Sequence, residues 1–547
     1  MLLLLTSFTA FLSGAPIALA TGPIVNTNNG TVVGLELPEF NQHAFLGIPY
    51  AQPPVGDLRL RRPRPFNQTL DNFNAIGYSP LCWNVPTTGA SDGAGIPQDE
   101  DCLTINIVRP ADASPENQLP VMFWIHGGGW VAGGSGVDWY NGTYLVQAST
   151  NYSNPVVYVS INYRLSQLGF LAGQELADEG NLNLGLYDQR LALHWVQENI
   201  AAFGGDPTKV TIFGESAGGF AVGTHFSAFG GRDDNLFHAG ISQSGTASNF
   251  NLPTEERFQN SYNQLVANSS CSEFTTAETQ LDCLRHIPVD EFRFAVSSWA
   301  TGTVVDGDMI PLSVANAMDV YNNGRYVKRP LITGTTTDEG SRSARTEEEV
   351  IGQLQGMGFN DTQVERMLEL YPSDPRLGVP YNTGMYMPNG TPYGKQAASI
   401  AGDTSYIALR RWVAEELVKA EVPVWTYRFN QNPAFINNPN GGAPHFSEIF
   451  YLFGNPNCPL QLGRCLGPLA YDHALSDLLQ SMWISFAVHL DPNQNNYAGA
   501  PTWPAYAEGA ENMRFQGGGS SAEKDDYRKE GIQLLLDNYF PNQGARV

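Results

Sequence analysis

The segment Gly214-Glu215-Ser216-Ala217-Gly218 constrains the fold of this chain more than any other. It follows an apolar, β-branched run, Val210–Phe213, and precedes a run of small residues, Gly219–Gly223. This order predicts a strand, a sharp turn and a helix, with the serine raised at the turn. Both flanking glycines are needed, because a β-carbon there would crowd the strained backbone of the serine. Ser216 is therefore a candidate nucleophile; the alternative is an ordinary serine in a glycine-rich turn.

Short apolar runs that alternate with helical patterns predict a largely parallel sheet with helices on both faces. The clearest helical patterns are Leu184–Phe203, which ends at Gly204-Gly205, and Asp472–Leu490. Catalytic residues in such sheets collect at the carboxyl ends of the strands. No linker, charge block or repeat divides the chain, so we expect residues 21–547 to form one domain with insertions. The predicted strands are Val121–Ile125, Val156–Ile161, Val210–Phe213, Ala239–Ser242, Pro330–Thr333 and Val422–Phe429.

The N-terminus has the pattern of a secretory signal peptide over residues 1–20. An apolar stretch opens the chain, and Ala18-Leu19-Ala20 fits the small-x-small cleavage rule. No Lys or Arg precedes the stretch, which departs from the pattern, and the alternative is an N-terminal anchor helix. No later segment is long and apolar enough to span a bilayer. We therefore expect a secreted, extracellular protein without an integral membrane span.

Cysteines and glycosylation sequons agree with an extracellular location. An oxidising compartment favours disulfides among the 6 cysteines, although their pairing does not follow from the sequence alone. Asn-x-Ser/Thr sequons predict a glycosylated surface. They occur at Asn29, Asn67, Asn141, Asn151, Asn268, Asn360 and Asn389.

The net charge of −24 disfavours nucleic acid and anionic lipid headgroups as partners. It does not oppose contact with a neutral oil surface. The chain has neither a Gly-x-Gly-x-x-Gly fingerprint nor a P-loop, so a nucleotide-binding enzyme is disfavoured as well.

A nucleophilic serine needs a base and a group that orients the base, and in α/β-hydrolases they follow in the order serine, acid, histidine. Of the late histidines, His473 and His489 lie in a predicted helix, whereas His445 lies in a loop after the strand Val422–Phe429. His445 is therefore the predicted base. The acid should follow the strand Pro330–Thr333, where Asp338 and Glu339 are adjacent; the residues alone leave both open.

The segment His126-Gly127-Gly128-Gly129-Trp130 follows the predicted strand Val121–Ile125. Consecutive glycines let backbone amides point at one spot without obstruction, which suits a site that stabilises an oxyanion. The amide of Ala217, next to the candidate nucleophile, would supply a further donor.

These segments together resemble the type-B carboxylesterase/lipase family, which includes cholinesterases and secreted fungal lipases of the Candida rugosa type. The matching stretches spread over nearly the whole mature chain, and Asp101–Pro110 is most similar to the fungal lipases. The stretches are Phe45–Ala51, Glu100–Asn106, Gly127–Gly129, Asn162–Arg164, Asn183–Gln189, Gly214–Gly218, Val305–Gly307 and Asp338–Gly340.

The resemblance implies an α/β-hydrolase fold and a role for each matching residue. Ser216 is implied as the nucleophile, Glu339 as the acid and His445 as the base. The oxyanion-hole positions are matched by Gly128, Gly129 and Ala217.

The resemblance also bears on neighbouring residues. Glu215 has two interpretations, a carboxylate that stabilises the protonated histidine or a structural hydrogen-bonding group. We expect Ser244 to support the acid as a hydroxyl behind it. Two family disulfides are implied, Cys82 with Cys102 and Cys271 with Cys283, and a third pairs Cys458 with Cys465.

The loop between Cys82 and Cys102 departs from the fungal lipases. Those lipases carry a long amphipathic lid helix there, whereas this chain has only nineteen intervening residues, many of them glycine or polar. That composition disfavours a helix. We therefore expect a short, weak lid and modest activation at an oil–water interface.

The leading interpretation is a serine ester hydrolase that needs no metal or organic cofactor. Family resemblance implies fatty-acyl esters of glycerol, sterols or other bulky hydrophobic alcohols as substrates. The alternative is a catalytically inactive, cholinesterase-like binding or adhesion protein. Such proteins usually lack the serine or carry a membrane anchor.

Overall fold

A computed structural model describes residues 22–84, 95–246, 252–295, 302–340, 343–387, 390–433, 441–456, 466 and 469–540. The predicted signal peptide, Cys458, Cys465, the sequon at Asn389 and residues 85–94 of the predicted lid lie outside these ranges.

An 11-stranded sheet forms the centre of the structure, and two smaller sheets flank it. The strands are β1 Ile24–Thr27, β2 Gly30–Val33, β3 Leu35–Leu37, β4 Gln42–Pro49, β5 Leu70–Asn74, β6 Leu81–Cys82, β7 Gln98–Asp99, β8 Thr104–Pro110, β9 Leu119–Ile125, β10 Val157–Ile161, β11 Gly205–Glu215, β12 Ala239–Gln243, β13 Leu331–Thr336, β14 Val424–Phe429, β15 Glu511–Phe515 and β16 Ser521–Lys524.

The order in the large sheet is β16-β15-β14-β13-β12-β11-β9-β10-β8-β4-β3. From β15 to β10 all neighbours are parallel, whereas β16 at one edge and β8, β4 and β3 at the other pair antiparallel. All six predicted strands lie in the parallel part, which confirms the predicted sheet. β11 and β13 extend beyond the apolar runs that predicted them.

The helices lie between these strands. They are α1 Thr143–Asn151, α2 Ser166–Phe170, α3 Gln174–Asp178, α4 Leu184–Asn199, α5 Ala217–Gly231, α6 Gln259–Ala267, α7 Ala277–His286, α8 Val289–Phe294, α9 Ala317–Asn322, α10 Glu347–Gly356, α11 Asp361–Leu370, α12 Pro392–Gly402, α13 Ala408–Lys419, α14 Ile449–Phe453, α15 Ala470–His489 and α16 Lys529–Asn538. A 3₁₀ turn, Ile200–Phe203, continues α4, and a π-helical turn, Asp403–Ile407, joins α12 to α13.

Side chains of the parallel strands alternate between two hydrophobic cores, one on each face of the sheet. In β9, Val121, Phe123 and Ile125 pack into one core with α4, α5 and α13, whereas Met122 and Trp124 pack into the other with α14 and α15. This period of two is what a strand covered on both faces requires. The sheet with helices on both faces is the predicted α/β-hydrolase architecture.

Two disulfides close loops beside the sheet, Cys82–Cys102 and Cys271–Cys283. These are the first two pairs that the family resemblance implied. The two ends of the first loop are also joined by hydrogen bonds, because β6 and β7 pair in parallel. Within the described ranges, no helix has the length and apolar character that crossing a bilayer requires.

Candidate active site

Ser216 stands at the turn between β11 and α5, with φ +55° and ψ −122°. This backbone conformation is strained for a serine, and neighbouring glycines make it possible. A β-carbon on Gly218 would lie 2.0 Å from the carbonyl oxygen of Ile125, and one on Gly214 would lie 2.6 Å from the same atom. The turn therefore packs directly on the end of β9, and only glycine fits on either side of Ser216.

The glycine-rich loop after β9 lies against this turn. A β-carbon on Gly127 would lie 3.2 Å from the Cβ atom of Ser216. Gly128 and Gly129 have φ values of +97° and +63°. Their amides donate to no group in the described part of the chain, whereas the Gly128 carbonyl accepts from Val131 and Ala132. The loop therefore presents two free backbone donors beside the serine, as an oxyanion site requires.

Ala217 is the first residue of α5 and follows Ser216 directly. Its amide belongs to the first turn of the helix, where backbone N–H groups have no carbonyl partner within the helix. The dipole of the helix places partial positive charge at this end. The third predicted oxyanion donor therefore lies next to the candidate nucleophile and at the favourable end of a helix.

His126 supports the glycine loop. It is fully buried and its ring stacks on Tyr163 at 4.3 Å, while the Tyr163 hydroxyl donates to the His126 carbonyl. Burial lowers the pKa of His126 to about 4, so its imidazole is neutral at physiological pH. A neutral, stacked ring suits a structural role in holding the loop.

Glu339 follows β13 and points at His445. Its Oε2 atom lies 2.6 Å from His445 Nδ1. Its Oε1 atom accepts hydrogen bonds from the Ser244 hydroxyl at 2.6 Å and from the Thr336 amide at 2.7 Å. Three hydrogen bonds therefore hold this buried carboxylate, and Ser244 bonds the oxygen that does not contact His445.

Asp338, the competing carboxylate, faces away from the imidazole and holds the histidine loop. Its two oxygens accept from the amides of Ala443 and Tyr381, each at 2.7 Å. The Asp338 amide in turn donates to the Ala443 carbonyl at 3.0 Å. Burial raises the pKa of Asp338 to about 6. The two carboxylates that the residues alone left open therefore have different partners in the structure.

His445 lies between two carboxylates. Its Nε2 atom is 3.2 Å from Glu215 Oε1, while Nδ1 contacts Glu339. Burial alone would lower the pKa of His445. The charges of Glu215 and Glu339 outweigh that effect and raise the pKa to about 10. The two carboxylates therefore stabilise the imidazolium that forms when His445 takes a proton.

Three further residues at the site were missed by sequence reasoning: Glu448, Gln243 and Tyr406. Glu448 is fully buried, and its Oε1 atom accepts from the Tyr427 hydroxyl at 3.2 Å and from Gln243 at 3.4 Å. Burial, and then the charge of Glu339, raises the pKa of Glu448 to about 7. Glu448 lies three residues after His445, but no spacing rule distinguishes it from an ordinary loop carboxylate.

Tyr406 lies in the π-helical turn and covers the imidazole. Its ring centroid is 4.8 Å from that of His445, with the two planes inclined by 31°. Burial, followed by the charges of Glu339 and Glu215, raises the pKa of the Tyr406 phenol. The other two late histidines are elsewhere: His473 is exposed on α15, and His489 bonds Asn154.

Known proteins share this fold and much of this sequence. A family model described as the carboxylesterase family matches residues 21–534. Lipase 2 of Geotrichum candidum is 33% identical over 94% of this chain and 95% of its own length. The secreted triacylglycerol lipase LIP1 of Gibberella zeae is 32% identical over 95% of this chain and 90% of its own. The crystal structure of Aspergillus niger EstA has a TM-score of 0.80 and 28% identity, covering 95% of this chain and 99% of that one.

Proposed function

This chain belongs to the carboxylesterase family and is a carboxylic ester hydrolase, and we propose that it cleaves its esters with Ser216 as nucleophile, His445 as base and Glu339 as orienting acid. One observation carries the proposal. His445 is bonded to Glu339 through Nδ1, and its Nε2 atom lies 3.2 Å from Glu215, the residue that precedes Ser216 in the strained turn.

The proposed reaction begins when Ser216 Oγ attacks the ester carbonyl and its proton passes to His445 Nε2. Glu339 holds the imidazole through Nδ1 and offsets its new charge. The amides of Gly128, Gly129 and Ala217 donate hydrogen bonds to the oxyanion; losing one such donor typically costs about 3–4 kcal/mol of barrier. The alkoxide leaves with the proton from Nε2. Water then attacks the acyl-enzyme by the same route, and Oγ recovers its proton from His445.

Glu215 fits the first of its two interpretations, a charge that stabilises protonated His445. Its carboxylate is fully buried and lies on the side of the ring that must carry the proton. A buried charge beside a developing charge acts more strongly than the same charge in water. We propose this role in addition to that of Glu339.

We propose fatty-acyl esters of glycerol or of other bulky hydrophobic alcohols as substrates. Relatives named as lipases, one of them a triacylglycerol lipase, support this class. The net charge of −24 leaves a neutral oil surface as the compatible interface.

We propose that the protein is secreted, with residues 1–20 removed and residues 21–547 as one catalytic domain. The two disulfides and a relative named as secreted support this location. Four sequon asparagines, Asn67, Asn151, Asn268 and Asn360, are exposed and open to glycosylation.

An active-site-directed organophosphate tests the proposed nucleophile. We expect one label per chain, carried by the peptide that contains Ser216, and loss of both label and esterase activity in Ser216→Ala. His445→Ala should lose activity, whereas the exposed control His473→Ala should keep it. A label on another residue, or full ester cleavage by Ser216→Ala, would overturn the proposal. Absence of any label would favour an inactive binding protein.

Hydrolysis rates define the substrate class. p-Nitrophenyl esters from acetate to palmitate should be compared with a triglyceride and a cholesteryl ester. We expect longer acyl chains to be preferred to acetate. A rate that falls steadily as the chain lengthens, with no triglyceride cleavage, would restrict the enzyme to small soluble esters.

A further inference from the structure

A cavity of about 290 Å³ lies where the end of α11, the middle of α12 and the residues before α16 meet. Its inner wall is buried, since Tyr371 is 2% exposed and Gln396 and Ser399 are each 3% exposed. Its rim is open, because Leu377 and Tyr381 are 50% and 37% exposed. The cavity is therefore enclosed at its base and reachable from solvent.

None of the residues that line this cavity belongs to the proposed catalytic site. Two of them bond Asp403 instead: the Tyr371 hydroxyl donates to Oδ2 at 2.7 Å, and Arg528 donates to both oxygens at 2.7 and 2.8 Å. Asp403 begins the π-helical turn, and the Tyr406 ring of that turn lies on the imidazole of His445. The cavity is therefore a separate site that is joined to the catalytic one through Asp403.

Two lining residues carry buried polar atoms that have no partner among the described residues. Gln396 donates through Nε2 to the Tyr371 carbonyl, but its Oε1 atom accepts no hydrogen bond. The hydroxyl of Tyr527 has no partner either. Burial raises the pKa of this phenol, so it keeps its proton and can both donate and accept. Because an unpaired buried polar group is costly, a polar group of a ligand would complete this wall.

The two unpartnered atoms select the polar group of the ligand. Oε1 of Gln396 needs a donor, and the Tyr527 hydroxyl can donate to an oxygen, so one hydroxyl group satisfies both. A carboxylate suits the cavity less, because it has no proton to donate at neutral pH. The guanidinium of Arg528, which could attract a carboxylate, is already paired with Asp403.

The remaining wall and the volume select the body of the ligand. Leu370, Pro372 and Leu377 are apolar, and Tyr371 and Tyr381 supply aromatic rings. A cavity of about 150 Å³ holds benzene, so about 290 Å³ has room for about twelve non-hydrogen atoms. The body should therefore be apolar or aromatic and of about that size.

We propose that this cavity is a second binding site, for a neutral alcohol with an apolar or aromatic body of about twelve non-hydrogen atoms. The ligand hydroxyl donates to Gln396 Oε1 and accepts from the Tyr527 hydroxyl, while its body packs against Leu377 and Tyr371. Alcohols are products of every carboxylic ester hydrolase, so this class is present wherever the enzyme acts. The proposal does not depend on which residue is the nucleophile.

Equilibrium dialysis of the whole protein with naphthylmethanol, a neutral aromatic alcohol of this size, tests the site. We expect one molecule bound per chain, with the same affinity after an organophosphate has filled the catalytic site. Naphthoate, which carries a carboxylate on the same aromatic body, should bind at least about tenfold more weakly.

Variants locate the bound alcohol. Leu377→Trp fills the cavity at its exposed rim and should weaken binding by about tenfold or more. Its control is Leu312→Trp, a change at a leucine that is 75% exposed and does not line the cavity. Tyr527→Phe removes only the hydroxyl and should weaken binding by about threefold to tenfold. Its control is Tyr262→Phe, because that buried hydroxyl also has no partner within the described residues and lies in another core.

Both controls should bind like the wild type, and thermal unfolding should show all four variants folded. Wild-type affinity in folded Leu377→Trp or in folded Tyr527→Phe would overturn the proposal. So would tighter binding of naphthoate than of the alcohol, or loss of the alcohol after organophosphate treatment, which would place it in the catalytic site. Should Tyr527→Phe fail to fold, the comparison of Leu377→Trp with Leu312→Trp decides.

The organophosphate label is measured separately in the same samples. Its absence from Ser216 refutes the proposed nucleophile, whereas the two tryptophan variants still decide whether the cavity binds the alcohol.

Discussion

Glu215→Gln removes the carboxylate charge beside His445 and keeps the size of the side chain. The Glu215 carboxylate is fully buried and lies 3.2 Å from Nε2, whereas the His445 side chain retains 30% exposure. Glu339 keeps its bond to Nδ1 in this variant. The substitution therefore isolates one of the two charges that raise the pKa of the imidazole.

Coulomb attraction sets the size of the effect. Two unit charges 3.2 Å apart attract by about 5 kcal/mol at an effective dielectric constant of about 20. That energy corresponds to a pKa change of about 4 units, which is an upper limit because solvent screens the partly exposed imidazole. We expect the pKa of His445, about 10 in the wild type, to fall by about 1–2 units.

A base must be neutral before it takes a proton, so a lower pKa moves the acid limb of kcat/KM to lower pH. Above the acid limb, the plateau value of kcat/KM should fall about tenfold or more, since we propose that Glu215 also stabilises the imidazolium formed during attack. The assay is kcat/KM for a p-nitrophenyl ester against pH, read at the isosbestic wavelength of p-nitrophenol.

Glu365→Gln is the control, because this glutamate is exposed on α11 and distant from the site in sequence. Its profile should coincide with that of the wild type. An acid limb in Glu215→Gln that stays in place or moves to higher pH would refute the electrostatic reasoning.

The glycine loop and Asp338 give two further predictions. Gly128→Ala should lower kcat/KM by about 100-fold or more, because its β-carbon would lie 2.1 Å from a backbone carbonyl oxygen. Gly129→Ala should lower kcat/KM by only about tenfold, for its positive φ, because its β-carbon meets nothing closer than 4.0 Å. Equal losses measured in the two variants would contradict this difference. Asp338→Asn can satisfy only one of the two backbone amides, so urea unfolding should show a loss of about 1–3 kcal/mol together with lower kcat. Because the pKa of Asp338 is raised to about 6, the wild type should exceed Asp338→Asn in unfolding free energy most below the ordinary carboxyl pKa. This difference in free energy should shrink as the pH rises through 6. A difference that grows over that range would refute the reasoning.

Local sequence was sufficient for the strands, the elbow and the glycine loop. Apolar runs in β9, β10 and β12 predict strand positions because burial on both faces leaves no other pattern. Gly214 and Gly218 identify the elbow, because a β-carbon on either would collide with the Ile125 carbonyl oxygen at the end of β9. Each of these features has a pattern that spans only a few consecutive residues, so it can be recognised in one sequence.

Residue chemistry left the roles of the neighbouring carboxylates open, family resemblance implied Glu339, and tertiary structure gives the two their different partners. Asp338 and Glu339 are chemically similar and adjacent, yet one accepts from backbone amides of the histidine loop and the other faces the imidazole. The direction in which β13 leaves the sheet determines which of the two faces His445. Sequence spacing carries no information about that direction.

The sequence alone predicted the six strands of the parallel part, the turn at Ser216 and the loop that holds His445. Tertiary structure decided the electrostatics of His445, because Glu215, Glu339 and Tyr406 reach it from distant parts of the chain and join Glu448, three residues away. A pKa or a hydrogen bond depends on distances of a few ångströms and on burial, and both exist only after the chain has packed.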